Sequence, residues 1–342
     1  MGRTRLKSAI GFAIAVGILG LILWVVGYEE VIAALAGADT GTAALTVPVA
    51  ALWLSAWGLS LYVVLGALGA PIAPHRAIFV FTAAVFVNNA TPFGQAGGEP
   101  VSAMFISSAA ESRYETGLAA IASVDTLHFV PSLSLAAIGL GFVGLSAVQL
   151  SGNLLVAVGA VVVLAAIVPI AGYLGWRHRL GIKGFILAKL TPPIEAIGGF
   201  LPVVDSPSKE LVEERIEGFF DSVSKVATDR RTIIAAMSLS TVGWICLSTS
   251  LWLSLYALGY VIPYPAILFV VPLGSIAGTA PLPGGLGGLE AAFAALLVPL
   301  GIPASVALSA VLIHRAATFW LPTIVGGGAA TILGMRANRN RG

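Results

Sequence analysis

Pro92-Phe93-Gly94-Gln95-Ala96-Gly97-Gly98-Glu99 and Pro283-Gly284-Gly285-Leu286-Gly287-Gly288-Leu289-Glu290 share one pattern, Pro-x-Gly-x-x-Gly-x-Glu, at an offset of 191 residues. Each copy sets a carboxylate straight after a helix-breaking segment inside strongly apolar sequence. The same offset pairs Trp53 with Trp244, Pro74 with Pro265 and Pro131 with Pro322, so it runs without a gap over 79 residues. The chain therefore contains an internal repeat. In a membrane protein, broken segments at corresponding places in two halves point to a substrate site. Backbone groups freed from helical bonding survive at hydrocarbon depth only where they line a cavity.

The membrane setting follows from composition. Of 342 residues, 58% are hydrophobic and 10% charged, with a mean hydropathy of +0.97. Several apolar runs exceed the ~20 residues a helix needs to cross ~30 Å of hydrocarbon. A net charge of +2, with basic residues at the ends of apolar runs and not in a stripe with aromatics, speaks against a nucleic-acid surface. The single cysteine, Cys246, forbids an intrachain disulfide and a cysteine-based metal cluster. The four histidines form no HxxxH or HExxH pair, and GxSxG and GK[ST] are missing. The expectation is therefore a protein that is not an enzyme and needs no metal, nucleotide or other cofactor.

The pattern predicts an all-α polytopic membrane protein with six full spans, at residues 8–28, 42–69, 115–145, 152–176, 231–259 and 303–333. The first span carries signal-like flanks, Arg3, Arg5 and Lys7 before it and Ala34-x-Ala36 after it. The 17 apolar residues from Ile10 to Val26 exceed a signal h-region, so the span is read as uncleaved. Residues 76–91 with 98–110, and 265–280 with 288–300, are helices too short to cross, and they predict two re-entrant helical hairpins. Three crossings per half make two inverted-topology repeats in a single membrane domain over 1–342, repeat one about 8–145 and repeat two about 152–335. With both termini cytoplasmic, the inner side collects 17 of the 18 Lys and Arg residues, in accord with the positive-inside rule for a multi-pass cell-membrane protein.

A cytoplasmic insertion at 178–230 interrupts the apolar sequence and contains an amphipathic helix at about 207–228. It lies either along the inner membrane surface or as a connector packed on the bundle. Pro131 and Pro322 are the expected break points of two 31-residue spans. Trp24, Trp53, Trp57, Trp252, Tyr256, Tyr260 and Tyr264 gather toward outer ends and Trp176 toward the inner, as an aromatic belt would.

Four charged residues fall well inside apolar segments: Glu99, Asp125, Glu290 and Arg315. Each costs about 2.5–3.5 kcal/mol at a helix centre, so they should face one another or a wet cavity. The expectation is one polar centre where both hairpin tips meet, with Arg315 shared among the three carboxylates and His128 and His314 nearby. The competing reading is that the ion pairs only lock helices. Three acids against one base favour a site, because a surplus buried carboxylate needs a proton or a cationic ligand.

Gly94, Gly97, Gly285, Gly287 and Gly288 are read as loop positions open to positive φ, together with Gly98 and Gly284, while Pro92 and Pro283 end the entering helices. The returning helices would aim their N-termini at the centre, or each Glu would merely cap its own helix. Asn88 and Asn89 either bind a head group or bond across helices.

The segment Pro281 to Glu290, followed by Gly301, His314-Arg315, Phe319-Trp320-Leu321-Pro322 and Gly326, resembles the closing signature of a flippase-like membrane family. That family includes the transmembrane region of lysylphosphatidylglycerol synthases and the membrane part of some archaeal dolichol-phosphate glycosyltransferases. Asn88 to Glu99 is similar to its earlier Asn…Pro-Gly-x-x-Gly-Glu segment. Where the family usually has Arg three residues after that Glu, this chain has Ser102, and its acidic-Arg pair stands here as Asp125-Thr126. The resemblance spans nearly the whole chain and no synthase or glycosyltransferase domain accompanies it, which implies translocation of an amphiphilic lipid and not its synthesis.

The leading expectation is thus lipid flippase-like transport of a polar or lipid-linked head group. Alternatives are a small-solute or ion transporter, and a membrane module supporting a separate glycosyltransferase or lipid synthase. The expected partner is a membrane lipid or lipid-linked substrate, with no nucleic acid. A homodimer stays open.

Overall fold

The computed structural model describes residues 17–91, 94–146, 209–279 and 282–339. Pro92, the expected span at 152–176, the start of the first span and residues 178–208 of the insertion lie outside them. Among the described residues every regular element is a helix, and the chain is an all-α polytopic membrane protein. Five helices, or six if one bent pair counts as a span, are long and apolar enough to cross a membrane.

The bent pair is α1 (Gly17–Val26) and α2 (Tyr28–Ala36), turned by 85° at Gly27, whose φ of 99° only glycine adopts cheaply. Asp39 accepts from the Thr42 amide at 2.8 Å, capping the single turn α3 (Thr40–Ala44) that leads into α4 (Thr46–Ala67). Pro74 opens α5 (Pro74–Ala90), and after a short break come α6 (Gly94–Ala109) and the 33-residue α7 (Tyr114–Ser146). The polar helix α8 (Lys209–Thr228) precedes α9 (Arg230–Ala257), whose first turn is capped by Asp229. There follow α10 (Tyr264–Ser275), α11 (Gly288–Leu297), α12 (Ala304–Arg315) and α13 (Leu321–Arg339). The expected half-hairpin at 288–300 gains 3-10 turns at both ends, so Pro283–Leu300 is, in length and apolarity, also sufficient to cross.

Equivalent helices end the same way. α4 stops at Leu68-Gly69 and α9 at Leu258-Gly259, with glycine φ of 75° and 80°. In each, the next amide (Ala70, Tyr260) reaches back five residues to Leu65 or Leu255 at 3.0 Å, satisfying the last carbonyls.

Small residues set the packing. α4 lies along α9, where the Trp57 indole covers Gly243 so closely that a Cβ there would overlap the ring. α5 and α6 close as a hairpin with Gly98 against Asn88, and α6 meets α7 where Gly117 abuts Ala103 and Ser107. Each hairpin also reaches the other half. α5 packs on α13 with Gly326 against Thr82 and Phe86, and α10 packs on α7 with Gly139 against Pro265 and Phe269. Apolar solvent supplies no hydrophobic drive between helices, so such close backbone approach is what holds them.

Several expectations change. Helix α6 already begins at Gly94, so Gly97 and Gly98 are helical and Glu99 lies in its second turn, not at the end of a loop. Gly98 is there for the contact with Asn88, a use of glycine that has nothing to do with positive φ. Pro131 does not break α7, which runs through it. Proline withholds an amide from the turn before it, and in that turn the carbonyl of His128 accepts the Trp244 indole N–H at 3.1 Å. Pro322 instead follows a π-helical turn, Ala316–Trp320, whose extra residue absorbs the missing bond. Trp53 and Trp57 leave the expected belt and turn inward, Trp53 being 6% exposed. Of the two readings of the insertion helix, packing on the bundle is observed. α8 lies on the start of α7, with Val226 buried and ion pairs Arg113–Glu214 (3.0 Å) and Arg215–Glu115 (3.3 Å).

Candidate functional site

The second glycine motif folds by backbone necessity. Gly284, Gly285 and Gly287 take φ of 56°, 65° and 82°, so the chain reverses in a 3-10 turn and starts α11 at Gly288, which is itself helical. This turn brings Glu290 to the third position of α11. There its Oε2 accepts from the Gly287 amide at 2.6 Å and its Oε1 from Arg315 Nε at 2.8 Å. Both side chains are buried, at 2% and 9% exposure. Arg315 spends a further N–H on the Gly284 carbonyl at 2.8 Å, and its guanidinium lies 4.3 Å from the Phe319 ring centre. A Cβ on Gly284 would overlap Phe319, so glycine is required there twice over. Glu290 thus caps its helix and pairs with arginine at once. Pro283 opens the 3-10 turn and is buried.

The first half builds a different pair. Glu99 on α6 and Asp125 on α7 lie beside each other at the α6–α7 contact. The expected sharing of Arg315 among three carboxylates is not what forms, since the one ion pair of Arg315 among the described residues is with Glu290. Its remaining recorded donor contact and its ring face are taken by Gly284 and Phe319, which fix the guanidinium on the second hairpin. The two hairpins nevertheless touch, the Pro283–Gly285 turn packing against α5 and α6.

Between the pairs lies a cavity of about 490 Å³. α7 presents Ile121, Asp125, His128, Phe129 and Ser132 to it at helical spacing, and Asn88, Asn89, His314 and Arg315 join from α5 and α12. Glu99, Glu290 and Ser102 stand behind the wall, with Ser102 fully buried and its hydroxyl unpartnered among the described residues. Asn89 bonds Thr323 of α13 at 2.8 Å, the cross-helix use of an amide, whereas Asn88 Oδ1 has no partner among the described residues. His314 Nδ1 lies 3.0 Å from the Ser250 hydroxyl.

Sequence reasoning missed the aromatic wall. Trp57 sits between the repeat-related Trp53 and Trp244, with ring centres 5.5 Å away on each side, and His128 stacks on it at 4.1 Å. The pairing of Trp53 with Trp244 by the offset was the signal available. Trp53 Nε1 and His128 Nε2 line this space without a hydrogen-bond partner among the described residues. Buried polar atoms in native proteins are nearly always paired, so these mark places for a ligand or water. No three of His, Cys, Asp and Glu converge among the described residues to hold a metal. The arrangement offers hydrogen bonds, ring faces and neighbouring carboxyls, the equipment of a binding site.

Residues 8–326 match the model of the lysylphosphatidylglycerol synthase TM region. The chain is similar to a UPF0104 membrane protein of Methanothermobacter thermautotrophicus, 25% identical over 97% of this chain and 94% of the relative. It is also similar to a UPF0104 membrane protein of Pyrococcus horikoshii, 22% identical over 94% and 96% of the two chains.

Proposed function

Since the chain belongs to the family of the lysylphosphatidylglycerol synthase TM region, we propose that it is a lipid flippase-like transporter, without catalytic activity of its own, whose cavity holds a polar head group while the apolar chains stay in the bilayer. One observation carries the reading. The cavity is lined both by polar groups, among them Asn88, Asn89, Asp125, His128 and Arg315, and by Phe129 (49% exposed) and Ile276 (40% exposed), which also reach the protein surface. A molecule polar at one end and greasy at the other fits such a lining, and a small solute has no use for its apolar part. This favours lipid over solute or ion.

The inverted-repeat topology belongs to the same proposal. Helices related by the offset exchange partners, α5 with α13 and α10 with α7. The amide of Asp39, just before α4, bonds the carbonyl of Ala257 at the end of α9, so these equivalent helices run in opposite senses. Both observations support two repeats of opposite orientation, with exposure alternating as one moves against the other.

The test is translocation of a fluorescent NBD-phospholipid in liposomes, read by dithionite quenching of the outer leaflet. Purified protein is expected to expose the inner-leaflet probe, and Arg315→Ala to abolish this while the protein stays folded. Equal quenching in protein-free liposomes, or an unimpaired variant, defeats the proposal.

A further inference from the structure

We propose that the indole wall of the cavity is a sugar subsite, so that the head group carried is a neutral glycosyl group. The choice of cargo rests on the transport reading above, whereas the binding site does not.

The two halves of the chain build this wall together. Trp53 on α4 and Trp244 on α9 stand at the repeat offset, and Trp57, one turn along α4, fills the space between them with ring centres 5.5 Å away on each side. All three line the cavity. Their polar edges differ. Trp57 Nε1 donates to the Ser240 carbonyl at 3.3 Å and Trp244 Nε1 to the His128 carbonyl at 3.1 Å. By the offset, the counterpart of His128 for Trp53 is Phe319. The Phe319 carbonyl lies in the π-helical turn packed on α4 and accepts the Thr323 hydroxyl. Trp53, 6% exposed, is thus left with an Nε1 that has no partner among the described residues. His128, also 6% exposed, adds a second such atom in its Nε2. No hydrogen bond holds the imidazole among the described residues, and it rests on Trp57 by stacking at 4.1 Å.

A ligand suited to this wall offers an acceptor to an indole N–H and an apolar face to indole rings at once. A phosphate supplies the acceptor and nothing for the faces. A quaternary ammonium suits the faces and supplies no acceptor. A pyranose does both, because its hydroxyls accept as well as donate and its C–H face is the apolar, weakly positive partner that an aromatic face prefers. The Asp125 carboxyl, one turn along α7 from His128, lines the same space and can accept from a hydroxyl. The unpaired atoms of Trp53 and His128 lie under the surface of the wall, and a sugar hydroxyl reaches them as the imidazole turns off Trp57. The cavity, at about 490 Å³, falls in the range of about 300–1,000 Å³ usual for small-molecule sites.

The test is binding of octyl β-D-glucoside, below its micellar concentration, to the full chain in lipid nanodiscs, read by tryptophan fluorescence. Octyltrimethylammonium, octyl phosphate and tetraethylene glycol monooctyl ether carry the same tail and separate the head groups. The glucoside is expected to bind about tenfold tighter than each of them. Trp53→Phe keeps a ring and removes the N–H, and should weaken the glucoside alone by about tenfold, one hydrogen bond's worth. His128→Phe keeps the stack and removes the nitrogens, and serves should Trp53→Phe fail to fold. A glucoside that binds no tighter than the other amphiphiles, or whose affinity is unchanged in both variants, overturns the subsite. For the cargo, NBD-glucosylceramide in liposomes should cross faster than NBD-phosphatidylglycerol in the dithionite assay, and Trp53→Phe should remove the advantage. Equal rates for the two probes overturn the glycosyl cargo. Sugar binding with no translocation of either probe overturns the transport reading and leaves the subsite standing.

Discussion

Replacing Glu290 and Arg315 singly and together separates a helix clasp from a transport site. In Glu290→Gln the guanidinium keeps only neutral partners, the Gly284 carbonyl at 2.8 Å, the Phe319 ring at 4.3 Å and the new amide oxygen, while still 9% exposed. Breaking a buried pair from one side costs about 3–5 kcal/mol, because an uncompensated charge stays behind. Arg315→Met leaves Glu290 with the Gly287 amide alone and should cost a similar amount, less whatever protonation of the acid recovers. The double variant removes both charges. It should fall within about 2 kcal/mol of wild type, since a buried ion pair replaced by neutral groups is often neutral in stability. The cycle then gives a coupling energy of about 3 kcal/mol or more, measured by reversible unfolding in detergent. Single-variant losses that add to within about 0.5 kcal/mol would show that the contact is not energetically a pair. The same double variant, stable again, is expected to translocate no lipid. Wild-type translocation by it would reduce the pair to structural glue and refute its place in the site.

Further outcomes follow from single contacts. Gly284→Ala forces an L-residue into the left-handed region and its Cβ into Phe319, so a loss of about 2–4 kcal/mol in unfolding free energy is expected, the backbone and overpacking costs together. Arg113→Ala should shift stability by less than about 1 kcal/mol and the shift should fade in high salt, because the Arg113–Glu214 pair is exposed on both sides. Asp229, held below its usual 3.8 chiefly by the Thr232 hydrogen bond, contributes stability that is present above that value and lost as pH falls through its folded-state value. Acid unfolding of Asp229→Asn should therefore lack that component, which a comparison of midpoints between neutral and strongly acidic buffer checks.

The long apolar helices and the placement of the second motif were legible because both rest on local rules, run length and the left-handed freedom of glycine. The first motif was misread for a physical reason. Glycine serves either an unusual φ or a close approach, and Gly97 and Gly98 cannot be told from Gly285 and Gly287 without knowing that Asn88 lies against Gly98. Trp57 shows the same limit. It groups in sequence with the tryptophans and tyrosines of an interfacial belt although it stands mid-helix in α4, and only the distant Gly243 makes room for it inside. Of the four charged residues singled out in the sequence, Glu290 and Arg315 are buried as an ion pair, and that pairing depends on the turn at Gly284, whose carbonyl claims Arg315.

The crossed attachment of the two hairpins has a mechanical consequence. With α5 seated on α13 and α10 on α7, while α6 also packs on α7 and α10 on α9, each hairpin is held by helices of both halves. If the hairpins gate transport as proposed above, moving one strains the opposite half as well as its own, which ties the unsealing of one bilayer face to the sealing of the other.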